Sequence, residues 1–337
     1  MSDSHLQYIL SIAKTGSVTA AARACGVSQP TLSRYLDRLE QEIGAELFVR
    51  SHRRFTLTPA GEIYVQAAEQ IQRISRQTLN SISSTTGKHP KKIRFGATPF
   101  MGSTMVAAAF KGFFTLFPDT QIEITEGNVA ESIQRIQDGL IDIGLIGIPY
   151  SGYQIPDVRY LSMHRSEILA EVPLYHPAAR RIMQESESPH SIDFSELLNT
   201  PLVLPGKGLV ARQSLDIAFR QMGLIPVIAY ETPNINLLHQ LAQDGLGISF
   251  LPAHNVRSRR TDKTVFLHMH PRTYIYNGFG FHSSHVLTDA EKLLLALIIH
   301  NPPILSDVTA DHNDLTKSIL KEAEEKGLWT QESTNTL

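Results

Sequence analysis

The stretch from Val27 to Arg50, VSQPTLSRYLDRLEQEIGAELFVR, constrains the fold more than any other part of the sequence. Ser28 can cap a helix whose first turn contains Pro30, at a position where the missing N–H of proline costs nothing. The apolar residues that follow recur at helical spacing, and Gly44 is a typical helix end. The segment therefore predicts an amphipathic helix whose apolar face consists of Leu32, Leu36, Leu39 and Ile43.

Two shorter helical patterns precede this helix. The first has apolar residues at helical spacing and stops at Gly16, and the second is rich in alanine and stops at Gly26. Two β-prone runs follow the long helix, Leu47–Arg50 and Arg54–Leu57, and they predict a small hairpin. Three short helices with a sharp turn before the third, followed by a hairpin, predict a winged helix-turn-helix domain over residues 1–58.

In this architecture the N-terminal part of the third helix meets the edges of the DNA bases. The leucines face the core, so the polar side chains of the helix lie on the free surface, where Gln suits adenine and Arg suits guanine or phosphate. The basic hairpin tip suits phosphates or the minor groove. For any one arginine taken alone, a solvated helix face is the alternative. The candidate DNA-binding residues are Ser28, Gln29, Pro30, Thr31, Ser33, Arg34, Arg38, Arg50, His52, Arg53 and Arg54.

The charge distribution agrees with a nucleic-acid partner at the N-terminal end. Residues 1–87 contain nine Lys and Arg against seven Asp and Glu, whereas the remainder contains 22 against 26. The positive excess therefore lies in the predicted DNA-binding part, although the whole chain has a net charge of −2.

A long helix is predicted from Pro59 to about Ser83, with Thr58 as its cap. Its apolar residues form one narrow seam, which is typical of a helix that pairs with a copy of itself. We interpret residues 59–87 as a linker and dimerisation helix with seam residues Ile63, Ile71, Ile74 and Ile82.

Beyond the polar, basic linker SSTTGKHPKK the pattern changes to alternating strands and helices. This alternation predicts an α/β architecture with mostly parallel sheets and room for two units. Strands are predicted at 92–98, 121–127, 141–147, 202–204, 225–231 and 247–251, and helices at 103–117, 130–138, 209–222 and 235–243.

Residues 1–62 closely resemble the N-terminal domain of LysR-type transcriptional regulators. The segment GSVTAAARACGVSQPTLSRYLDRLEQEIGAELFVRSHRRFTLTPAGE carries that resemblance almost end to end. It extends more loosely to about residue 300 through KIRFGAT, FPDTQIEITEGN, IQDGLIDIGLIG and LAQDGLGISFLP. The resemblance implies an effector-binding domain over residues 88–300, similar to periplasmic binding proteins, with lobe 1 at about 92–164 plus 269–300 and lobe 2 at about 165–268. Residues 301–337 form a C-terminal extension outside the resemblance, of unknown role.

Two-lobed α/β proteins bind ligands where strands end and helices begin. The residues at such positions here are Thr98, Pro99, Ser103, Thr104, Asn128, Gly147, Ile148, Lys207 and Asn234. The alternative for each polar one is a plain helix cap. Lys207 would suit one carboxylate, whereas Arg135 and Arg212 lie within predicted helices and are expected at the surface.

The sequence gives little support for catalysis, a cofactor or a metal. The histidines show no HExxH pattern or other recognised metal-ligand spacing. The HSSH turn at His282–His285 is a weak metal candidate and is better interpreted as a solvated turn. There is no GxSxG nucleophile motif and no phosphate-binding Gly-rich loop. The single cysteine, Cys25, cannot form a disulfide within the chain, and we expect it to be a small buried residue rather than a redox switch.

These features predict a cytoplasmic transcriptional regulator that is not an enzyme. We expect double-stranded promoter DNA and a small-molecule effector as partners, and no membrane. We also expect a homodimer, with RNA polymerase as a further candidate partner, and the resemblance implies a homotetramer. The alternative is a solute-binding or transferase-like two-lobed protein. The first 60 residues, and an N-terminus without the pattern of a signal peptide, weigh against it.

Overall fold

The computed structural model describes residues 3–50, 54–85, 92–98, 102, 107–184, 191–197, 200–256, 259, 261–300 and 308–327. The chain divides into two compact units, Met1–Lys88 and His89–Leu337, which are considered separately.

The first unit confirms the winged helix-turn-helix. Its elements are α1 (Asp3–Thr15), α2 (Val18–Cys25), α3 (Gln29–Ile43), a hairpin of β1 (Phe48–Arg50) and β2 (Phe55–Leu57), and α4 (Pro59–Thr85).

The helix ends of this unit follow from local sequence. The Ser17 and Ser28 hydroxyls accept hydrogen bonds from the backbone N–H groups of Ala20 and Thr31, both at 3.3 Å. Gly26 separates α2 from α3 with a positive φ of 68°, a left-handed conformation that costs glycine little because it has no Cβ. The sharp turn of the motif therefore depends on this glycine.

The core of the first unit contains three of the four predicted apolar residues of α3. Leu32, Leu36 and Leu39 are buried together with Phe48. Ile43 is 43% exposed, which corrects its assignment to the core face. It is the last residue of α3, directly before the chain leaves the helix at Gly44.

The second unit is a two-lobed α/β structure. Lobe 1 has the parallel strands β3 (Lys92–Ala97), β4 (Gln121–Glu126) and β5 (Ile143–Ile148) with helices α5 (Ala107–Leu116), α6 (Val129–Gln137) and α11 (Asp289–His300). Lobe 2 has the parallel strands β8 (Leu202–Pro205), β9 (Ile228–Thr232) and β10 (Ile248–Pro252), the short strand β7 (Ser191–Asp193), and helices α7 (Pro177–Gln184), α8 (Phe194–Leu197), α9 (Val210–Gln221) and α10 (Ile235–Gln243).

Two long strands connect the lobes, β6 (Val158–Pro173) and β11 (Thr264–His282). They pair antiparallel over most of their length; β11 also pairs with β5 of lobe 1, and β6 with β10 of lobe 2. Neither strand was recognised in the sequence, so the prediction of mostly parallel pairing was wrong for the centre of the sheet. Buried polar residues such as His164 and Glu171 interrupt the apolar pattern of β6 and explain the failure.

The C-terminal extension adds to lobe 1 where the structure describes it. Strand β12 (Val308–Ala310) pairs antiparallel with β6, and helix α12 (Asp314–Glu325) places Ile319 and Ala323 in the apolar core of lobe 1. No helix in the described part of the chain is both long enough and apolar enough to span a bilayer.

Candidate functional site

The N-terminal half of α3 presents a polar surface. Gln29, Pro30, Thr31 and Arg34 are exposed, and Ser33 is half-buried. The Ser28 and Thr31 hydroxyls lie 2.7 Å apart and hold the first turn. The structure thus brings the predicted base-reading residues of this turn together on one open face.

Among the described residues, the two arginines of α3 make weak, exposed contacts. Arg34 Nε donates to the Pro30 carbonyl oxygen at 3.3 Å, and Arg38 lies 3.8 Å from Glu42 in an exposed pair. The Arg38 guanidinium also lies 5.9 Å from the centre of the Tyr35 ring. Exposed ion pairs contribute little stability, so both side chains can turn towards another negatively charged group at small cost.

Arg50 has a structural role in the described contacts. Its Nη2 donates to Asp37 at 2.7 Å and to Glu40 at 2.6 Å, which ties β1 to α3. The hydrogen bond to Asp37 is the largest cause of a raised pKa of Arg50, although burial opposes it. Two carboxylates offset this positive charge, so Arg50 adds little to the positive potential of the wing.

The rest of the predicted wing is only partly described. Arg54 is exposed at the start of the second hairpin strand and packs close to Gly16. His52 and Arg53 lie outside the described residues.

In the second unit a cavity of about 120 Å³ lies between the lobes. Of the predicted effector residues, Thr98 and Gly147 line it, whereas Pro99, Ser103 and Thr104 lie outside the described residues. Most of the lining is apolar, with Val129, Leu145 and Ile146 from lobe 1 and Leu209, Val210, Ile235 and Phe250 from lobe 2.

Four other predicted effector residues are not part of this described lining. Asn128 and Asn234 cap α6 and α10, with each side-chain oxygen accepting a backbone N–H. Ile148 is buried in an apolar cluster, and Lys207 is exposed with its backbone N–H donating to Glu231 at 3.3 Å. For the two asparagines, the helix-cap alternative describes the observed contacts.

Besides Thr98, the polar groups of the cavity come from residues that sequence reasoning missed: His254, Asn255 and Asn277. His254 Nδ1 lies 3.0 Å from the Ser166 hydroxyl, and Asn277 Nδ2 lies 3.2 Å from His164 Nε2. Burial lowers the pKa of His254 to about 3 and that of His164 to about 4, so both imidazoles are neutral at neutral pH. His254 contacts β6, and the contact of Asn277 joins β11 to β6. Neither strand was recognised in the sequence, and no local motif marks these contacts.

Arg212 is buried, not at the surface as expected. Its side chain is 5% exposed and pairs with Glu231 and Asp216, each at 2.8 Å, while Nη1 donates to the Pro205 carbonyl oxygen at 3.1 Å. Pro205 lines the cavity, so Arg212 fixes that wall to α9. Helical periodicity could not reveal that Glu231 and Pro205, which lie in other segments, hold this arginine.

The interpretation of the HSSH turn as solvated is correct for Ser283 and Ser284 but wrong for His285, which is buried. His282 Nδ1 lies 2.6 Å from the Ser284 hydroxyl, and His285 Nε2 lies 3.1 Å from Glu291. The described part of the chain holds no group of three or more His, Cys, Asp or Glu side chains placed to bind a metal ion. Cys25 is half-buried rather than buried, with Sγ 3.9 Å from the Gln7 carbonyl oxygen, because it is the last residue of α2.

Two family models match this chain. Residues 4–62 match the bacterial regulatory helix-turn-helix protein of the lysR family, and residues 87–298 match the LysR substrate binding domain. One match lies in the first unit and the other covers most of the second, and the second model alone covers more than half of the chain.

Individual relatives agree with these matches. The uncharacterized HTH-type transcriptional regulator YybE of Bacillus subtilis is 25% identical over 73% of this chain and 81% of its own length. The HTH-type transcriptional regulator TdcA of Escherichia coli is 28% identical over 49% of this chain and 53% of its own length, so the chain matches about half of that relative.

Solved structures show the same fold. Full-length OxyR from Pseudomonas aeruginosa has a TM-score of 0.67 at 23% identity and covers 93% of this chain and 99% of its own. Full-length CbnR in complex with its target DNA has a TM-score of 0.55 at 18% identity and covers 96% of this chain and all of its own.

Proposed function

Since this chain belongs to the LysR family of transcriptional regulators, we propose that α3 reads promoter DNA through Gln29, Thr31, Ser33 and Arg34. The family is one of regulators rather than enzymes, and the match favours it over the solute-binding or transferase-like alternative. The observation that carries the proposal is the polar, open N-terminal face of α3. Side chains there are free to enter a major groove while the leucines of the same helix stay buried.

Arg34→Ala tests base reading. Loss of one base contact should weaken the free energy of binding by about 1–3 kcal/mol on an operator selected from random DNA. The loss on scrambled DNA should be much smaller. Arg23→Ala serves as the control, because Arg23 is also exposed but lies on α2. Fluorescence anisotropy at two salt concentrations measures both affinities. An equal loss on both DNAs would assign Arg34 to a phosphate and remove it from base reading.

We further propose that the cavity between the lobes binds the effector. Its lining combines a mostly apolar surface with a few polar groups, Thr98, His254, Asn255 and Asn277, as is typical of small-molecule sites. The two lobes are joined by β6 and β11, so a ligand that contacts both lobes can favour one arrangement of them. CbnR, which has the same fold, is solved in complex with its target DNA, and this supports DNA as a partner of the present chain.

A cavity-filling substitution tests the effector site. Metabolites are screened for thermal stabilisation of the full chain, where a binder at one hundred times its dissociation constant should add about 2.7 kcal/mol. Val210→Phe should abolish the stabilisation, because Val210 lines the cavity. Gln213→Phe, at an exposed position of the same helix, should preserve it. A ligand that still stabilises Val210→Phe binds elsewhere.

A further inference from the structure

Lobe 1 contains a second cavity, of about 530 Å³, which lies apart from the one between the lobes. Its walls are the loop after β5, the start of β6, Tyr276 of β11, residues 311–313 between β12 and α12, and Leu315 of α12. This volume is in the range of small-molecule sites. The family model for the effector domain ends at residue 298, so one wall comes from the C-terminal extension beyond it.

The wall from the extension is fixed by hydrogen bonds to β6. The Asp311 backbone N–H donates to the Met163 carbonyl oxygen at 3.1 Å, and the Asp311 carboxylate accepts from the Ser162 hydroxyl at 2.9 Å. Asn313 Nδ2 donates to the Tyr160 carbonyl oxygen at 2.8 Å, and the buried Thr316 hydroxyl donates to the Ser162 carbonyl oxygen at 2.7 Å. The cavity is therefore a built part of lobe 1.

Two opposite charges line this cavity, Arg159 and Asp311. Within the residues that the structure describes, neither takes part in an ion pair, whereas six other charged residues of the extension do: Asp314, Lys317, Lys321, Glu322, Glu325 and Lys326. Arg159 is exposed, with its guanidinium 5.2 Å from the centre of the Phe281 ring. The cavity thus offers one carboxylate and one guanidinium to a ligand.

Three tyrosines also line the cavity. Tyr153, Tyr160 and Tyr276 provide aromatic surface, and Tyr160 donates to the Tyr276 carbonyl oxygen at 2.9 Å. Burial raises the pKa of Tyr160, and the negative charge of Asp311 adds to this effect. Burial lowers the pKa of His312, so this neighbour supplies no lasting positive charge to Asp311 at neutral pH.

We propose that this cavity is a second small-molecule site and that it takes an α-amino acid. The α-ammonium group pairs with Asp311, the α-carboxylate pairs with Arg159, and the side chain packs on the tyrosines. Both charged groups of the ligand are thereby paired, and this pairing offsets the cost of removing them partly from water. The site is independent of DNA reading and of the effector cavity between the lobes.

Calorimetry of the full chain tests the proposal with each of the twenty L-amino acids at neutral pH. We expect binding of at least one, and at least a tenfold loss of its affinity with Asp311→Asn and with Arg159→Gln. The corresponding 2-hydroxy acid, which lacks the ammonium group, should bind at least tenfold more weakly. Asp314→Asn is the matched control, because Asp314 is an exposed residue of the same segment and lies outside the cavity lining.

Two results would overturn the site. One is the absence of binding by every amino acid at millimolar concentration. The other is an amino acid that binds with the same affinity to wild type, Asp311→Asn and Arg159→Gln. If Val210→Phe abolishes its binding, the ligand occupies the cavity between the lobes instead. Arg159→Gln alters an exposed side chain, so this arm stays informative even if Asp311→Asn perturbs the fold.

Discussion

At the scale of single residues, Glu40 joins the recognition helix to the wing. This carboxylate is 8% exposed; Oε1 accepts the backbone N–H groups of Leu47 and Phe48 at 2.8 and 3.2 Å, and Oε2 accepts from Arg50. Glu40→Ala leaves two buried donors unsatisfied, so we expect a loss of about 2–4 kcal/mol in the stability of the first unit. Native-state hydrogen exchange of the α3 amides in the full chain measures it.

The control for this prediction is Asp37→Ala. Asp37 also accepts a hydrogen bond from Arg50, but both side chains are largely exposed, so the expected loss is about 0–1 kcal/mol. Equal losses in the two variants would show that the backbone hydrogen bonds of Glu40 do not hold the hairpin.

A second residue-scale feature makes stability depend on pH. Burial opposes protonation of His285, but the Glu291 carboxylate outweighs it and raises the pKa of His285 above 6.5. Burial also opposes ionisation of Glu291, but His285 and the Thr288 hydrogen bonds outweigh it and lower the pKa of Glu291 below 4.5. The histidine contribution is therefore complete below pH 6.5 and is lost as pH rises through the raised pKa. The carboxylate contribution is present above pH 4.5 and is lost as pH falls through the lowered pKa.

We accordingly expect wild type to exceed His285→Gln in unfolding free energy most clearly between about pH 4.5 and 6.5. The difference should shrink as the solution becomes alkaline. Urea unfolding of both proteins at several pH values measures it, and a difference that grows towards alkaline pH would contradict this account of the pair.

At the scale of elements, the C-terminal helix α12 is part of lobe 1. Ile319 is buried in that core, so Ile319→Ala should cost about 2–4 kcal/mol through lost burial and a residual cavity. Thermal unfolding of the full chain measures the loss. Lys317→Ala, at an exposed position of the same helix, should change the melting temperature little. A melting temperature unchanged by Ile319→Ala would mean that α12 is not docked.

The elements that the sequence predicted well are those with local signals. Helix α3 has its serine cap, proline and glycine stop, and α10 was predicted with the bounds that the structure shows, Ile235–Gln243. Strands β6 and β11 carry no such signal, because their buried polar residues are satisfied by partners far away in the chain. One example is Glu171, which binds His239, Ser249 and Thr264. The same reason hid His254 and Asn277 of the effector cavity, whose partners His164 and Ser166 lie about ninety or more residues away.

At the scale of the whole molecule, helix α4 indicates self-association. Ile63, Ile71, Ile74 and Ile82 are between 43 and 71% exposed, so the seam that the sequence predicts is uncovered in a single chain. A single recognition helix contacts few base pairs, and two linked copies bind far more tightly and specifically. We therefore propose that the chain dimerises through this seam.

Ile71→Asp combined with Ile74→Asp tests the assembly, because unpaired charges would be buried in the paired seam at high cost. The double variant should lose both dimerisation, measured by analytical ultracentrifugation of the full chain, and tight operator binding, measured by anisotropy. Gln66→Asp adds a negative charge at an exposed position of α4 that is not one of the four seam residues, and it should leave both intact. Tight operator binding by the double variant would contradict the proposal. It would show that the seam does not hold the two DNA-binding domains together. If the double variant binds DNA weakly while the first units remain paired, the loss arises from DNA contact and not from assembly.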